Sequence, residues 1–387
     1  MRNLSAFFLP LAAAVALAGC KTVTPTGKPP VAVVQNILSG GEEQLRAALD
    51  AYTPTVYSDI NIVDSPERAA MLTEALITAD RFDNIDASAR PDQLPDFAGE
   101  RIVSQMDITR GDYSQLDTVT LREVGVRSVI AAIDTRLCAS SGDTEYRSSK
   151  PSTKLVIVSS AELEAAAAYD IDTLKASLGI ALPVIYPARL MLSDLIGRGA
   201  RSIAVVVNGL TALSGAYEAM CAELSPEGQP VDCFVVSSDD LPLSSPLSGL
   251  LRSYSEAGNT QPMDAVLLDC FEFTPDDILS EYAGLLLNDG EESLAARKSV
   301  SSVLHVQSLP ETVSEEVFRL MREKNIFTHD IRYPVAAAYL TNPEMFQYAL
   351  MQFDWNSLPG GLESDIMSVA PKTYISYVQD SYIPGRN

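Results

Sequence analysis

The side chain best suited to acid–base chemistry in this sequence is the thiol of Cys270, which closes the apolar run Val266-Leu-Leu-Asp-Cys270. A free thiol ionises near pKa ~8.5, low enough to exchange a carbon-bound proton once a neighbour favours the thiolate. The neighbours here are Asp269 and Glu272, and two carboxylates act the other way, raising the thiol's pKa. A helix expected to begin near Thr274-Pro275 offsets part of that effect, because a helix N-terminus favours negative charge. A second candidate closes another apolar run, Leu155-Val-Ile-Val158, which is followed by Ser159 and Ser160. A serine hydroxyl is a far weaker acid than a thiol and cannot simply take over its proton transfer.

A third group lies in Asn208-Gly-Leu-Thr-Ala-Leu-Ser-Gly-Ala-Tyr217. Its Asn208, Thr211 and Ser214 stand where a helix begins, a place whose N–H groups receive carboxylates; Ser214 serves equally well as a helix cap. Asp83, Asp86, Asp92 and Asp96 share one loop but miss the calcium-loop spacing and read as solvated turn residues. The only histidines are His305 and His329, and there is no CxxC or HExxH pattern, so neither a metal nor a cofactor is expected.

The elements that must position these groups are short apolar, β-branched runs alternating with longer helical patterns, the signature of an α/β fold with mainly parallel strands. Strands are expected at 31–34, 75–79, 155–158, 183–186, 203–207, 233–236, 265–268 and 303–306. Most are apolar on both faces, which implies doubly wound sheets covered by helices on both sides. Helices are expected at 119–135, 161–178, 214–224, 276–287 and 343–353. Further helix starts are marked by Ser65-Pro66-Glu67 and by the capping box Thr312-Val-Ser-Glu315. The polar segments 80–118 and 139–153 read as loops.

The order Ser159-Ser160 after one strand, Leu182-Pro-Val-Ile185, the Thr211/Ser214/Gly215/Tyr217 motif and Cys270 after a later strand resembles the aspartate/glutamate racemase superfamily over roughly residues 82–327. The resemblance implies two pseudo-symmetric α/β lobes around a cleft, with two cysteines on opposite faces of an amino acid's α-carbon. It implies Cys270 as the second-lobe catalytic residue, Ser159 in place of the first cysteine, and Asp83 at the first strand end. Ser160, Asn208, Thr211, Ser214 and Glu272 would line the ligand. The chain departs from the family's second-cysteine motif as well: Asp269, Phe271 and Glu272 replace its Gly, Thr and His. Racemase activity is therefore expected to be reduced or lost, and an active racemase or a single-cysteine decarboxylase-type enzyme is the alternative. A further alternative is a type I periplasmic binding protein, in which three crossovers would join the lobes.

The amino terminus carries Arg2, then an apolar stretch over 6–18 that ends in small residues and is too short to span a bilayer, which takes ~20 residues. Leu17-Ala-Gly-Cys20 resembles a lipobox, which implies cleavage before Cys20 and its lipidation. Residues 1–19 are read as the signal and 20–30 as a Pro-rich tether. Residues 31–187 form the first lobe, 188–302 the second, 303–327 the return to the first, and 328–387 a tail packed on a lobe. The expected location is the bacterial cell envelope, with the membrane as partner through the lipid. The formal charge of the full sequence is −23, and such an acidic surface repels phosphate backbones and argues against nucleic-acid binding. Cys221 and Cys233 could pair in an oxidising compartment.

Overall fold

A strand that is apolar on both faces is satisfied only between two layers of helices. The computed structural model, which describes residues 29–107, 113–138, 145–328, 330, 332–341 and 347–349, meets that demand twice. In chain order the first lobe holds α1 (Ala32–Leu38), α2 (Glu43–Asp50), β1 (Asp59–Asp64), α3 (Pro66–Ile77), β2 (Arg101–Asp107), α4 (Thr118–Ile133), β3 (Arg136–Cys138), β4 (Tyr146–Ser149), β5 (Thr153–Val158), α5 (Ala161–Leu178) and β6 (Val184–Ile185). Helix α6 (Pro187–Gly197) crosses to the second lobe. That lobe holds β7 (Ser202–Val207), α7 (Gly209–Ala212), α8 (Ala216–Leu224), β8 (Asp232–Ser237), α9 (Pro246–Glu256), β9 (Met263–Asp269), α10 (Pro275–Leu287), α11 (Glu291–Arg297) and β10 (Val300–Ser308). Helix α12 (Leu309–Glu323) leads back to β11 (Val335–Thr341) and β12 (Gln347–Ala349).

The second sheet has the order β10-β9-β7-β8 and is parallel throughout. The first has the order β4-β3-β12-β11-β2-β1-β5-β6. Its four-strand core, read as β6-β5-β1-β2, repeats the second sheet: fourth, third, first and second strand in chain order. The expected pseudo-symmetric pair of mainly parallel lobes is thus present, and among the described residues the antiparallel pairs are β3–β4 and β11–β12. Among the described residues the chain passes between the sheets twice, through α6 and α12, and not three times as in the type I binding-protein alternative.

The lobes share one core. Ile60, Leu155 and Phe97 of the first lobe belong to the same buried apolar cluster as Met191 of α6, Ile203 and Leu267 of the second lobe, and Val317 of α12. The crossing is pinned by Glu164 of α5, whose carboxylate accepts the N–H groups of Ala188 and Arg189 at 2.9 Å each. These are first-turn donors of α6, free of intrahelical partners. Arg189 then pairs with Glu223 of α8 at 2.7 Å.

Six of the eight expected strands are present. The other two are helical. Residues 31–34 enter α1, where Val33, Val34 and Ile37 are buried on one helical face, and 75–79 hold the last turn of α3. In both, a short apolar run was ambiguous and tertiary packing chose the 3.6-residue period. The segment 80–118 is not all loop, because β2 lies in the middle of the first sheet. Its Ser104 and Gln105 made it read as polar, yet both are buried, and the Ser104 hydroxyl meets Thr73 at 2.8 Å. Strand β10 belongs to the second sheet, so the return begins at α12 rather than at residue 303. That helix starts at Leu309, ahead of the expected capping box. The tail contributes β11 beside β2. Of the helix expected at 343–353, the described residues 347–349 form β12, and the rest lies outside the described residues.

Helices α4 and α5 approach unusually closely at Gly125, where an added Cβ would come within 2.4 Å of the Ala167 Cβ. Replacing Gly125 by Val is expected to lower stability by about 2 kcal/mol through overpacking. A denaturant midpoint unchanged from the parent would contradict this packing.

Candidate functional site

In open parallel sheets, ligands are held beyond the carboxyl ends of the strands, where the strand order reverses. In this chain those points lie between β1 and β5 and between β7 and β9, and they face one another across the lobes. Asp64 ends β1, Ser159 follows β5, and Asp269 ends β9. A guanidinium lies between them. Arg68, in the first turn of α3, donates from Nη2 to Asp269 Oδ1 at 2.5 Å and to the Ser159 carbonyl at 3.2 Å. Its Nη1 reaches the Asp269 carbonyl at 3.3 Å, and its Nε reaches Asp64 Oδ2 at 3.3 Å. The Ser159 hydroxyl donates to the same Asp64 oxygen at 2.7 Å.

All four residues are buried, Asp64 and Asp269 to 1 % exposure. Burial pushes the Asp269 carboxyl up to about 6, against the pull of Arg68. Burial raises Asp64 too, again opposed by Arg68. Tyr217 of α8 bears on Asp269 from the second lobe. Neither the Tyr217 hydroxyl nor Asp269 Oδ2 completes a well-formed hydrogen bond, which marks the one polar edge of the cluster not already satisfied. Two carboxylates share one cation, which ties the ends of β1, β5 and β9 together across the lobes.

The expected site residues do not all meet at this cluster. Ser159 is in the cluster, bonded to Asp64. Cys270 immediately follows Asp269, but its side chain joins the apolar cluster of Leu268, Phe273 and Ile278 in the second lobe. Burial pushes its thiol up to about 12, with Glu272 and Asp269 pushing the same way. The flanking carboxylates singled out from sequence are therefore the smaller cause. Ser160, Asn208 and Ser214 are engaged as caps and turns. Ser160 Oγ accepts from Leu163 N at 3.2 Å and donates to Glu162 at 2.8 Å. Asn208 Oδ1 accepts from Thr211 N at 2.9 Å, and Ser214 Oγ donates to the Thr211 carbonyl at 2.8 Å. Thr211 is buried and Glu272 is exposed, accepting from Phe271 N at 3.1 Å.

Asp83 sits elsewhere, in the loop after α3, where its carboxylate accepts from Ile85 N and Asp86 N and pairs with Arg90 at 2.9 Å. The residue at the first strand end is Asp64. It was legible as an acid closing the run Asp59-Ile-Asn-Ile-Val-Asp64 just before the Ser65-Pro66 helix start, the same pattern that precedes Ser159 and Cys270. Arg68 carries no such signal, because a single arginine in a helical first turn is ordinarily solvated. Cys20 and His329 lie outside the described residues. Among the described residues no group of three or more His, Cys, Asp and Glu could hold a metal ion.

No family model and no curated protein sequence matches the chain. Among solved structures, it is similar to a glutamate racemase from Francisella tularensis in complex with D-glutamate, at 15 % identity and TM-score 0.44, covering 84 % of this chain and 96 % of that one. A glutamate racemase isoform from Bacillus anthracis aligns at 15 % identity and TM-score 0.44 over 74 % of this chain and 89 % of that one. The glutamate racemase from Aquifex pyrophilus aligns at 16 % identity and TM-score 0.40 over 84 % and 100 %. Likeness at this level assigns no chemistry to the chain.

Replacing Arg68 by Met would leave two buried carboxylates without a cation and is expected to cost about 3–5 kcal/mol. The double variant with Asp269→Asn should recover part of the loss; no recovery would mean that Arg68 acts through packing alone. Because the Asp269 pKa of about 6 in the folded protein lies above its ordinary value of 3.8, the folded state holds this proton more tightly. Its contribution to stability is therefore most favourable below the ordinary value and declines as pH rises toward 6. Urea midpoints across this range should fall with pH more steeply for the parent than for Asp269→Asn. Parallel profiles would refute the assignment.

Proposed function

We propose that this chain is a lipid-anchored protein of the bacterial cell envelope that has a racemase-like two-lobed scaffold, without racemase chemistry, and binds a small amino acid or other zwitterion between the lobes. The observation that carries the reading is Arg68, whose guanidinium stands between the facing strand ends, bound to Asp64, Ser159 and Asp269. Removing a proton from one face of an α-carbon and returning one to the other requires two acid–base groups across a cleft. In this chain one strand end carries a serine, and the thiol at the other is buried with its pKa raised.

A zwitterion complements what the cluster would offer when the lobes part. Asp269 Oδ2, which faces the Tyr217 hydroxyl without a well-formed hydrogen bond, suits an ammonium group. Arg68, released from Asp269, suits a carboxylate as a planar two-pronged donor. An anion alone would leave Asp269 without its cation, and a cation alone would leave Arg68 with Asp64 and the Ser159 carbonyl only, each at a desolvation cost that opposes binding. The anchor is proposed from Cys20 and the short apolar stretch before it. Among the described residues no helix is long and apolar enough to cross a membrane.

The expected outcome in deuterium oxide is no exchange or inversion of the α-proton of aspartate or glutamate above background. Turnover that disappeared in Cys270→Ser would overturn the non-catalytic reading. A thermal-shift screen of amino acids and dicarboxylates should give its stabilising hits among zwitterions, through RT ln(1 + [L]/Kd). A hit equally strong with Asp269→Asn would place the ligand elsewhere. Replacing Cys20 by Ser should abolish incorporation of labelled fatty acid, and undiminished label would sink the proposed anchor.

A further inference from the structure

A cavity of about 610 Å³ lies between the loop that follows α3 and the C-terminal half of α12. It is large enough for a small organic molecule and shares no lining residue with the interlobe cluster. Its apolar wall follows from the period of α12, which brings Phe318 and Met321 to one face. Phe318 stacks on Phe82 with ring centroids 4.4 Å apart and meets Phe327, another lining residue, edge-on at 5.4 Å. Leu94 and Ala98 line the loop side. That wall is tied by its own hydrogen bonds: Asn84 Nδ2 donates to the Leu94 and Pro95 carbonyls at 3.3 and 3.0 Å, and Asp80 accepts from Asp92 N and Gln93 N.

The polar lining is unbalanced in charge. Asp96 is 2 % exposed. Its Oδ1 accepts from Phe82 N at 2.9 Å, and Arg81 N is shared between its two oxygens at 3.1 and 3.0 Å. Among the described residues no cation is bonded to it, for the Arg81 guanidinium turns to Glu311 and Glu315 of α12 at 2.8 Å each. Burial raises the Asp96 carboxyl against the pull of those N–H groups. Asp92 lines the same cavity and accepts from Asn84 N at 3.0 Å and Leu94 N at 2.8 Å. The lining cation is Arg322, an exposed residue whose guanidinium lies 6.0 Å from the Phe318 ring centroid.

We infer that this cavity binds a small organic cation, an ammonium group carried on an aromatic body. The ring packs against Phe318 and Phe327, where offset and edge-on contacts are favourable, and the ammonium donates to the Asp96 carboxylate. A buried carboxylate without a cation is costly, and a ligand that brings one offsets part of that cost. An anion is disfavoured on both counts. Pairing with an exposed Arg322 gains little, and a negative ligand brings a like charge beside Asp92 and Asp96. The site does not rest on the interlobe reading proposed above.

The test is calorimetric titration of the purified full chain with three probes of similar shape: phenethylamine, phenethyl alcohol and phenylacetate. The amine is expected to saturate one site at least about tenfold more tightly than the alcohol, the worth of one charge-assisted hydrogen bond, and phenylacetate to bind more weakly than either. In Ala98→Phe, whose ring fills the cavity, amine binding should be lost. Arg322→Gln removes an exposed like charge and should tighten amine binding about threefold; it alone decides if Ala98→Phe does not fold. Asp269→Asn should leave amine binding unchanged, which separates this cavity from the interlobe cluster. Equal affinity for the alcohol, tighter binding of phenylacetate, no saturation by the amine, or an amine affinity indifferent to Arg322→Gln would overturn the assignment.

Discussion

The structure turns on one buried cation. Among the described residues Arg68 is the one positive group bonded to both Asp64 and Asp269, and those carboxylates belong to different sheets. An ion pair removed from water gains from low-dielectric attraction only what it does not lose to desolvation, so it is weak evidence for stability. With either carboxylate withdrawn, the guanidinium would be left partly unpaired. The shared apolar core supplies the bulk attraction, and Arg68 links the strand ends of the two sheets across it.

Repetition of one strand order in two lobes explains why those ends converge. A duplicated fourth-third-first-second sheet brings two reversal points face to face, and any pair of strand ends there is positioned for joint chemistry. What the pair does depends on side chains. Here a serine hydroxyl is bonded to Asp64, an aspartate is held by arginine, and a thiol is turned into the apolar layer. The helix-start N–H groups of Leu163 and Thr211 are already taken, because the Ser160 hydroxyl and the Asn208 amide oxygen cap those helices. A cap and a carboxylate ligand compete for the same N–H donors at a helix start.

The sequence by itself determined the alternation of elements and hence the α/β class, because burial on both faces leaves its mark in every residue of runs such as 203–207 and 155–158. It also determined where α5 and α10 begin, since Ser160 and Thr274 cap their helices through bonds to residues three positions away. Ser159 and the acid beside Cys270 were visible for the same reason, as polar residues closing apolar runs. Tertiary structure decided what local pattern left open. Residues 31–34 and 75–79 became helix because their neighbours were helices. Residues 101–107 became a central strand whose buried Ser104 hydroxyl is satisfied by Thr73 and the Ala69 carbonyl, both on α3. It also decided that Asp64 rather than Asp83 meets Ser159, and that Arg68 lies between the lobes. Asp64 and Arg68 stand 201 or more residues from Asp269 along the chain, and a charge pair at that separation leaves no periodicity to read. Its partners are known only once two sheets, built independently by local rules, are brought together.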